Sequence, residues 1–495
     1  MKNPIPVLTA ALSVAVSFNL SAEDWVFPNA DGSGDIASEA AWGTIGLPGE
    51  NRPTFKVDLI SAGKNKMTCS KDMTFSGLYF TCWDETRRNL FELNLEKSGN
   101  PTITMAGNLS VGKFTNVRMI GGTYDFQELY TFDTSGYNKG GASIELNNGC
   151  VWTNTSSSWT AMSYAGGGKN CWKLENASAM YWGGNFFLEY YGLHSDKRLD
   201  VLSGSRFVIA GNFIFDEGYD ETGVSNHKVF VSGASSEFGV GGDMTVGKSY
   251  LNESIAIGDG ATANCSGTCI IGNRGSGSGL FVSNAVCAVG TLRVGCAAVS
   301  SGNVVRIEDD AELNVTENLD FGVGGANNLL DIDNATVNVG GELYSQRGAV
   351  GNEVHFSGAA PKLVVGKSMT AYSQNNQVAR FVFNLPEDGY ADGVAPLQYV
   401  GWYRLQSTMQ ISVTGIEAMQ AKMRESGIRK REIPLVVCTK NVLEGLTDET
   451  IAAYNAQLPR GASMRRTNVS GDGGNYFTGI TLTVKSNNGL CLIFR

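Results

Sequence analysis

Between Gly290 and Tyr344 the chain states one short pattern twice, and that pattern limits the fold more than anything else in it. Leu292-Arg293-Val294-Gly295 closes one unit, and Val305-Arg306-Ile307, Leu313-Asn314-Val315 and Leu319-Asp320-Phe321-Gly322 form the next. Leu330-Asp331-Ile332 and Val337-Asn338-Val339, followed by Gly340-Gly341, begin again. Each triplet is apolar, variable, apolar, so its first and third residues share one side of a strand. Small or polar turns, Asp309-Asp310 and Asp333-Asn334 among them, separate the triplets. Three short strands and three turns per unit read as one coil of a β-solenoid.

The repeat extends from about residue 101 to 385. The first apolar residue of each middle strand reads Tyr124, Val151, Met180, Phe207, Phe238, Ala263, Cys287, Leu313, Val337 and Leu363, at spacings of 27, 29, 27, 31, 25, 24, 26, 24 and 26. Two residues on come Phe126, Thr153, Trp182, Ile209, Val240, Cys265, Val289, Val315, Val339 and Val365. A third-strand signature ending in glycine recurs at Leu109–Gly112, Met244–Gly247, Cys269–Gly272, Leu292–Gly295 and Leu319–Gly322. Such coils have no hydrogen-bond partners until they stack, so ten counted rungs predict a rod of roughly 50 Å. The expectation is an all-β, single-stranded parallel β-helix, three strands per coil, right-handed by analogy with other parallel crossovers.

A chain of 495 residues is long for one globular core, but a solenoid grows in one dimension. Its 62 glycines and 17% charged residues fit many turns and do not fit disorder. A net charge of −10 argues against nucleic acid or an anionic membrane surface as a partner. Lys2, apolar Ile5–Phe18 and Ser21-Ala22 before Glu23-Asp24 read as a secretory signal over residues 1–22, with no later membrane span, so the protein is expected outside the cell or at its surface, or in the periplasm. Residues 23–100 then form an N-terminal cap and first coils, 101–385 the repeats, and 386–495 a C-terminal cap. In that cap Ile416, Met419 and Met423 fall at helical spacing, and Thr447 stands as N-cap before Asp448-Glu449.

Of ten cysteines, Cys265, Cys269 and Cys287 occupy inward repeat positions and read as small hydrophobes. Cys69 with Cys82, and Cys150 with Cys171, are the better bridge candidates, and no Cys-x-x-Cys occurs. Longer coils in the first half place loops at Tyr130–Gly141, Glu189–Arg198 and Asp216–Asn226.

In its Trp42…Pro48 opening, its Asp72-Met73-Thr74-Phe75-Ser76-Gly77-Leu78-Tyr79-Phe80 stretch and its apolar-x-apolar-Gly-Gly coils, the chain resembles autotransporter-associated β-strand repeat proteins and autotransporter adhesin passengers. The resemblance implies surface display and adhesion. It departs from them after residue 386, where no strand reads as long enough for a membrane barrel.

Parallel β-helices also host polysaccharide lyases and hydrolases. The outward residues of the first strand read Arg118, Glu145, Lys173, Asp200, Phe230, Ala256, Phe281, Arg306, Asp331 and His355, with no acidic ladder. His194, His227 and His355 fall in different coils, away from any carboxylate or cysteine in spacing. Asp309, Asp310, Asp331 and Asp333 read as solvated turns rather than a cation site, and Arg429–Arg431 and Arg465-Arg466 as solvated loops. No catalytic, cofactor or metal residues are assigned. Aromatic density singles out Trp159, Trp172, Tyr190 and Tyr191 as candidate ligand-binding residues, since flat rings stack on sugar faces. The functional expectation is a binding or adhesion module for polysaccharide or another surface component. The alternatives are a carbohydrate-active β-helix enzyme and a structural surface-layer component.

Overall fold

The computed structural model describes residues 25–26, 34–38, 55–58, 65–75, 77–81, 89–111, 115–131, 143–154, 156–157, 160–162, 171–190, 196–216, 226–249, 251–345, 350–367, 380–391, 395–400, 410–438, 447–470 and 476–486. They form a β-solenoid whose coils carry up to three strands each, stacked in parallel. The first face is one ladder of fifteen parallel strands, from Gly34–Asp35 to Gln410–Thr414. At about 4.8 Å per rung it runs roughly 65–70 Å. The ladder passes unbroken through residues 101 and 385, so both end regions contribute coils: Asn65–Thr68 and Asn89–Asn94 at one end, Gln410–Thr414 at the other. Second and third faces stack likewise, and the strands Thr262–Ile271 and Val286–Val294 run through the corner that joins them.

Alternation decides what enters the core. The first-face register runs Arg118, Glu145, Lys173, Asp200, Phe230, Ala256, Phe281, Arg306, Asp331, His355, in the order read from the sequence. On the second face the order holds with one correction. Tyr124 pairs with Trp152, not Val151, and Phe126 with Asn154, not Thr153. A one-residue slip exchanges faces, so Trp152 is buried and Val151 is turned away from the core. The β-branched Val151 mimics the inward residue of its neighbours, and only lateral pairing separates the two.

One corner repeats without exception over ten coils. The residue at the corner after each first strand is Gly121, Asn148, Asn176 (one residue further on, after Glu175), Ser203, Gly233, Asp259, Asn284, Asp309, Asn334 and Gly358, each with φ between 47° and 96°. Left-handed backbone is costly for most L-residues, and Gly, Asn and Asp bear it best. The sequence turns at Asn148-Gly149, Asp259-Gly260 and Asn334 are therefore corners that the backbone conformation demands.

The C-terminal end closes with a different geometry. Helix α1, Ile416–Glu425, turns Ile416, Met419 and Met423 inward, as the spacing predicts. Helix α2, Asp448–Asn455, starts at Thr447, whose side chain accepts from the Thr450 N–H. Strands Lys430–Cys438, Tyr476–Lys485 and Ala462–Ser470 pair antiparallel. These three strands of nine, ten and nine residues correct the reading that nothing after residue 386 is that long. Arg465-Arg466 interrupts the apolar pattern but not the strand. Among the described residues Ala462–Ser470 pairs with one strand only, and at its other edge Asn455 of α2 donates its Nδ2 to the Met464 carbonyl (3.1 Å) and accepts from the Met464 N–H (2.5 Å). A side chain thus takes the place of a neighbouring strand, a device against edge-to-edge pairing. Asn455→Ala is expected to cost about 1–3 kcal/mol and to give concentration-dependent association in light scattering. A variant that stays monomeric at high concentration would show the edge is protected by other means.

Candidate functional site

The aromatic residues singled out from the sequence do not form one surface. Trp172 has no exposed surface; its ring packs edge-on to Phe186 at 5.5 Å. Trp152 and Trp182 are buried too, joined through Phe126 at 5.4 and 6.0 Å. The inward register of the broad coils has more space to fill than a Val or Leu can occupy, and aromatic rings fill it. Trp172 is corrected from candidate ligand contact to core. Tyr190 is half-buried with its ring edge-on to Phe187 at 5.1 Å, while Trp159 and Tyr191 lie outside the described residues. The loop stretches 132–142, 191–195 and 217–225 lie outside them too.

The outside of the first face is mostly an alternation of charge. Glu92, Arg118, Glu145, Lys173 and Asp200 follow one another rung by rung. Arg118 lies 3.9 Å from Glu92 and 3.1 Å from Glu145, and further along Arg306 lies 3.0 Å from Asp331. Half-exposed pairs of this kind contribute little stability each, but they cancel the field a charged polymer would need. Between Asp200 and Arg306 the alternation stops. Phe230, Ala256 and Phe281 occupy three successive rungs, with Phe230 37% exposed. A Cβ on Gly279 would run into the Phe281 ring, so that ring lies over the glycine, along the sheet. Two rungs separate the rings, about 9.6 Å. On the second face Tyr181 is 37% exposed beside Val208 and Gly239.

A second feature was missed in the sequence. The residue just before each first strand, at the corner opposite the left-handed one, is Lys197, His227, Glu253, Ser278, Asn303, Asn328 and Asn352, all buried. Asn303 donates its Nδ2 to Asn328 Oδ1 (2.9 Å), and Asn328 donates to Asn352 Oδ1 (2.9 Å) and to the Gly325 carbonyl (2.8 Å). The first three members are ionisable and join two more buried carboxylates, Glu189 and Asp216. His227 Nδ1 accepts from the Lys197 N–H (3.2 Å), which in the neutral ring puts the proton on Nε2. Nε2 lies 2.8 Å from Glu189 Oε2 and 3.8 Å from Glu253 Oε1, close electrostatic contacts without hydrogen-bond alignment. Glu253 Oε2 accepts from the Gly247 N–H (2.7 Å), and Asp216 Oδ2 from the Ser249 N–H (3.2 Å). His227 therefore does sit among carboxylates, contrary to its sequence spacing. Its neighbours come from other coils, 26 and 38 residues away along the chain.

The remaining candidates resolve individually. Asp331 pairs with Arg306, and Asp309 accepts from Ser283 Oγ (2.7 Å). Burial, then Asp331 and Asp309, raises the Asp333 carboxyl. Among the described residues no group of His, Cys, Asp and Glu is arranged to hold a metal ion, and no helix is long and apolar enough to cross a membrane. Lys430 and Arg465 pair with Glu432 at 2.6 and 3.0 Å, and Arg466 with Asp448 at 2.6 Å.

Cys69, Cys150 and Cys171 are free thiols, so Cys150 and Cys171 are not bridged; Cys82 lies outside the described residues. Burial pushes Cys265 up to about 11 and Cys287 up to about 12, and Cys269 is also raised by burial. A raised thiol stays protonated and unreactive below its pKa. These three are expected to resist alkylation at pH 8 in the native protein and to label only in denaturant, read by mass spectrometry of tryptic peptides. Native-state labelling at the rate of a free thiol would contradict their burial.

Fold and site together define a parallel β-helix protein, a solenoid rod with self-paired charges outside and a mixed apolar and polar interior. No protein-family profile matches the chain, and neither curated proteins nor solved structures include a match.

Proposed function

We propose that the protein is an exported or surface-displayed β-helix rod that binds an extended polysaccharide along its first face, without cleaving it. The observation that carries this reading is the Phe230–Ala256–Phe281 interval, the one stretch of the outward row from Glu92 to His355 where paired charge gives way to flat apolar surface. Aromatic faces stack on the C–H faces of sugars, and the charges on the flanking rungs are already paired, Asp200 with Arg198 and Arg306 with Asp331, so the rings carry the contact. Two rings two rungs apart suit a polymer lying along the rod axis, each ring beneath a separate sugar unit. A net charge of −10 favours a neutral or cationic glycan over a polyanion.

The second reading, a carbohydrate-active enzyme, draws on Glu189, Asp216 and Glu253 beside Lys197, since hydrolysis and lyase chemistry use paired carboxylates with a cation nearby. Those groups are buried at a corner of the coil, whereas the Phe230 row faces outward, so binding is the better-supported reading.

The test is retention of the purified chain on a panel of neutral and acidic polysaccharides, with released sugar measured in the same samples. Phe230→Ala with Phe281→Ala is expected to weaken retention by about 2 kcal/mol, roughly thirtyfold, with the unfolding midpoint little changed. Release of oligosaccharide would replace binding by catalysis. Retention indifferent to both substitutions would remove the platform.

A further inference from the structure

We propose that the first-face platform takes one class of polymer, an extended β-1,4-linked chain of pyranoses of the cellulose or chitin type; this rests on the polysaccharide-binding reading and narrows it. Phe230 pairs with Ala256 and Ala256 with Phe281, residue for residue and without a shift along these strands, so the three side chains stand in one straight column. Phe230 is exposed, and the Phe281 ring lies along the sheet over Gly279. On the rungs of Ala256 and Phe281 the other outward residues are Ser254, Gly258, Gly279 and Ser283, none larger than serine. The bed is therefore flat. Paired charges bound it along the rod axis, Arg198 with Asp200 at one end and Arg306 with Asp331 at the other.

The spacing selects the linkage. Rungs repeat at about 4.8 Å, and a pyranose joined through equatorial oxygens at C1 and C4 advances about 5 Å along an extended chain. Such a chain turns over at every link, so sugars n and n+2 offer the same face in the same orientation. The platform repeats in the same way, with a ring, a small side chain and a ring. Sugars n and n+2 lie over Phe230 and Phe281, and the inverted sugar between them crosses Ala256. Stacking needs the C–H face of each sugar laid against its ring. An axial link at C1, as in an α-1,4 chain, curls the polymer, and a β-1,3 link bends it, so alternate sugars leave the plane of the sheet.

Chain length tests this directly. A disaccharide covers one ring and a trisaccharide covers both. The measurement is the concentration of each oligosaccharide, from one to six sugars, that halves retention of the purified chain on a polysaccharide that retains it. In the cellulose or the chitin ladder that concentration is expected to fall roughly fivefold between two and three sugars, with smaller changes on either side. Whichever ladder shows the step identifies the sugar. The α-1,4 glucan and β-1,3 glucan ladders are expected to show no step at three. Phe281→Ala should erase the step. Phe281→Ala with Ala256→Phe places the rings on neighbouring rungs, and the step should move to between one and two sugars. A Cβ on Gly258 meets only the Ser283 carbonyl, at 3.6 Å, so there is room for the new ring. Circular dichroism checks that each variant folds; if one does not, the wild-type ladders carry the test. Retention that needs both phenylalanines but shows no step at three, or shows it equally with α-1,4 glucan, would overturn the β-1,4 assignment and leave polysaccharide binding standing. No retention on any polysaccharide would overturn both.

Discussion

Trp172→Ala is expected to lower the stability of the rod by about 3–5 kcal/mol, the range for deleting a large buried aromatic side chain. The Trp172 side chain has no exposed surface, packs on Phe186 at 5.5 Å and is the in-register neighbour of Ile144 and Leu199. A coil contacts only its neighbours, so this gap cannot be closed by collapse from elsewhere. The indole N–H has no acceptor among the described residues, so Trp172→Phe is expected to cost far less, about 1 kcal/mol. Denaturant midpoints at unchanged m-value measure both. If Trp172→Ala were tolerated and sugar retention fell instead, Trp172 would be the surface contact that the sequence first indicated.

The second large effect is expected at Asn328. Its Oδ1 accepts from the Asn303 N–H (3.1 Å) and Nδ2 (2.9 Å), and its own Nδ2 donates to the Gly325 carbonyl and Asn352 Oδ1. Asn328→Ala leaves the Asn303 N–H buried without that acceptor and opens a void over Gly295, at a cost of about 2–4 kcal/mol. Asn328→Asp is expected to be worse at neutral pH, because a carboxylate then faces Asn352 Oδ1 and the Gly325 carbonyl, both acceptors. Burial raises such a carboxyl, and its protonated form regains a donor. The unfolded state holds its proton less tightly, so the Asp variant gains stability relative to wild type as pH falls. Midpoints of the three chains at neutral and acidic pH test the order. An Asp variant equal to Ala at both pH values would show that water enters the corner.

Much of the architecture was legible because it is written in local alternation. Triplets such as Val305-Arg306-Ile307 assign inside and outside without knowledge of any neighbour, and the outward row from Arg118 to His355 follows from them. Thr447 and the Ile416, Met419, Met423 spacing placed two helices, because capping and amphipathic period are also local. Where local alternation was ambiguous the reading slipped, at Val151 against Trp152. The aromatic candidates failed for a related reason: an exposed sugar-stacking ring and a core-filling ring share the same composition, and only the pleat of the finished coil separates Trp172 from Phe230.

The coil, its period, its turn-forming corners and the polarity of each face follow from residue order, since all of these depend on residues a few positions apart. Which side chains share a corner depends on how the coils stack. Glu189 meets His227 two coils later, across a distance along the chain set by the lengths of the intervening loops rather than by any repeat. Stacking brings residues of different coils together through hydrogen bonds between backbones, which carry no record of side-chain identity. The charged corner, the asparagine ladder and the Phe230–Phe281 platform are therefore properties of the stack.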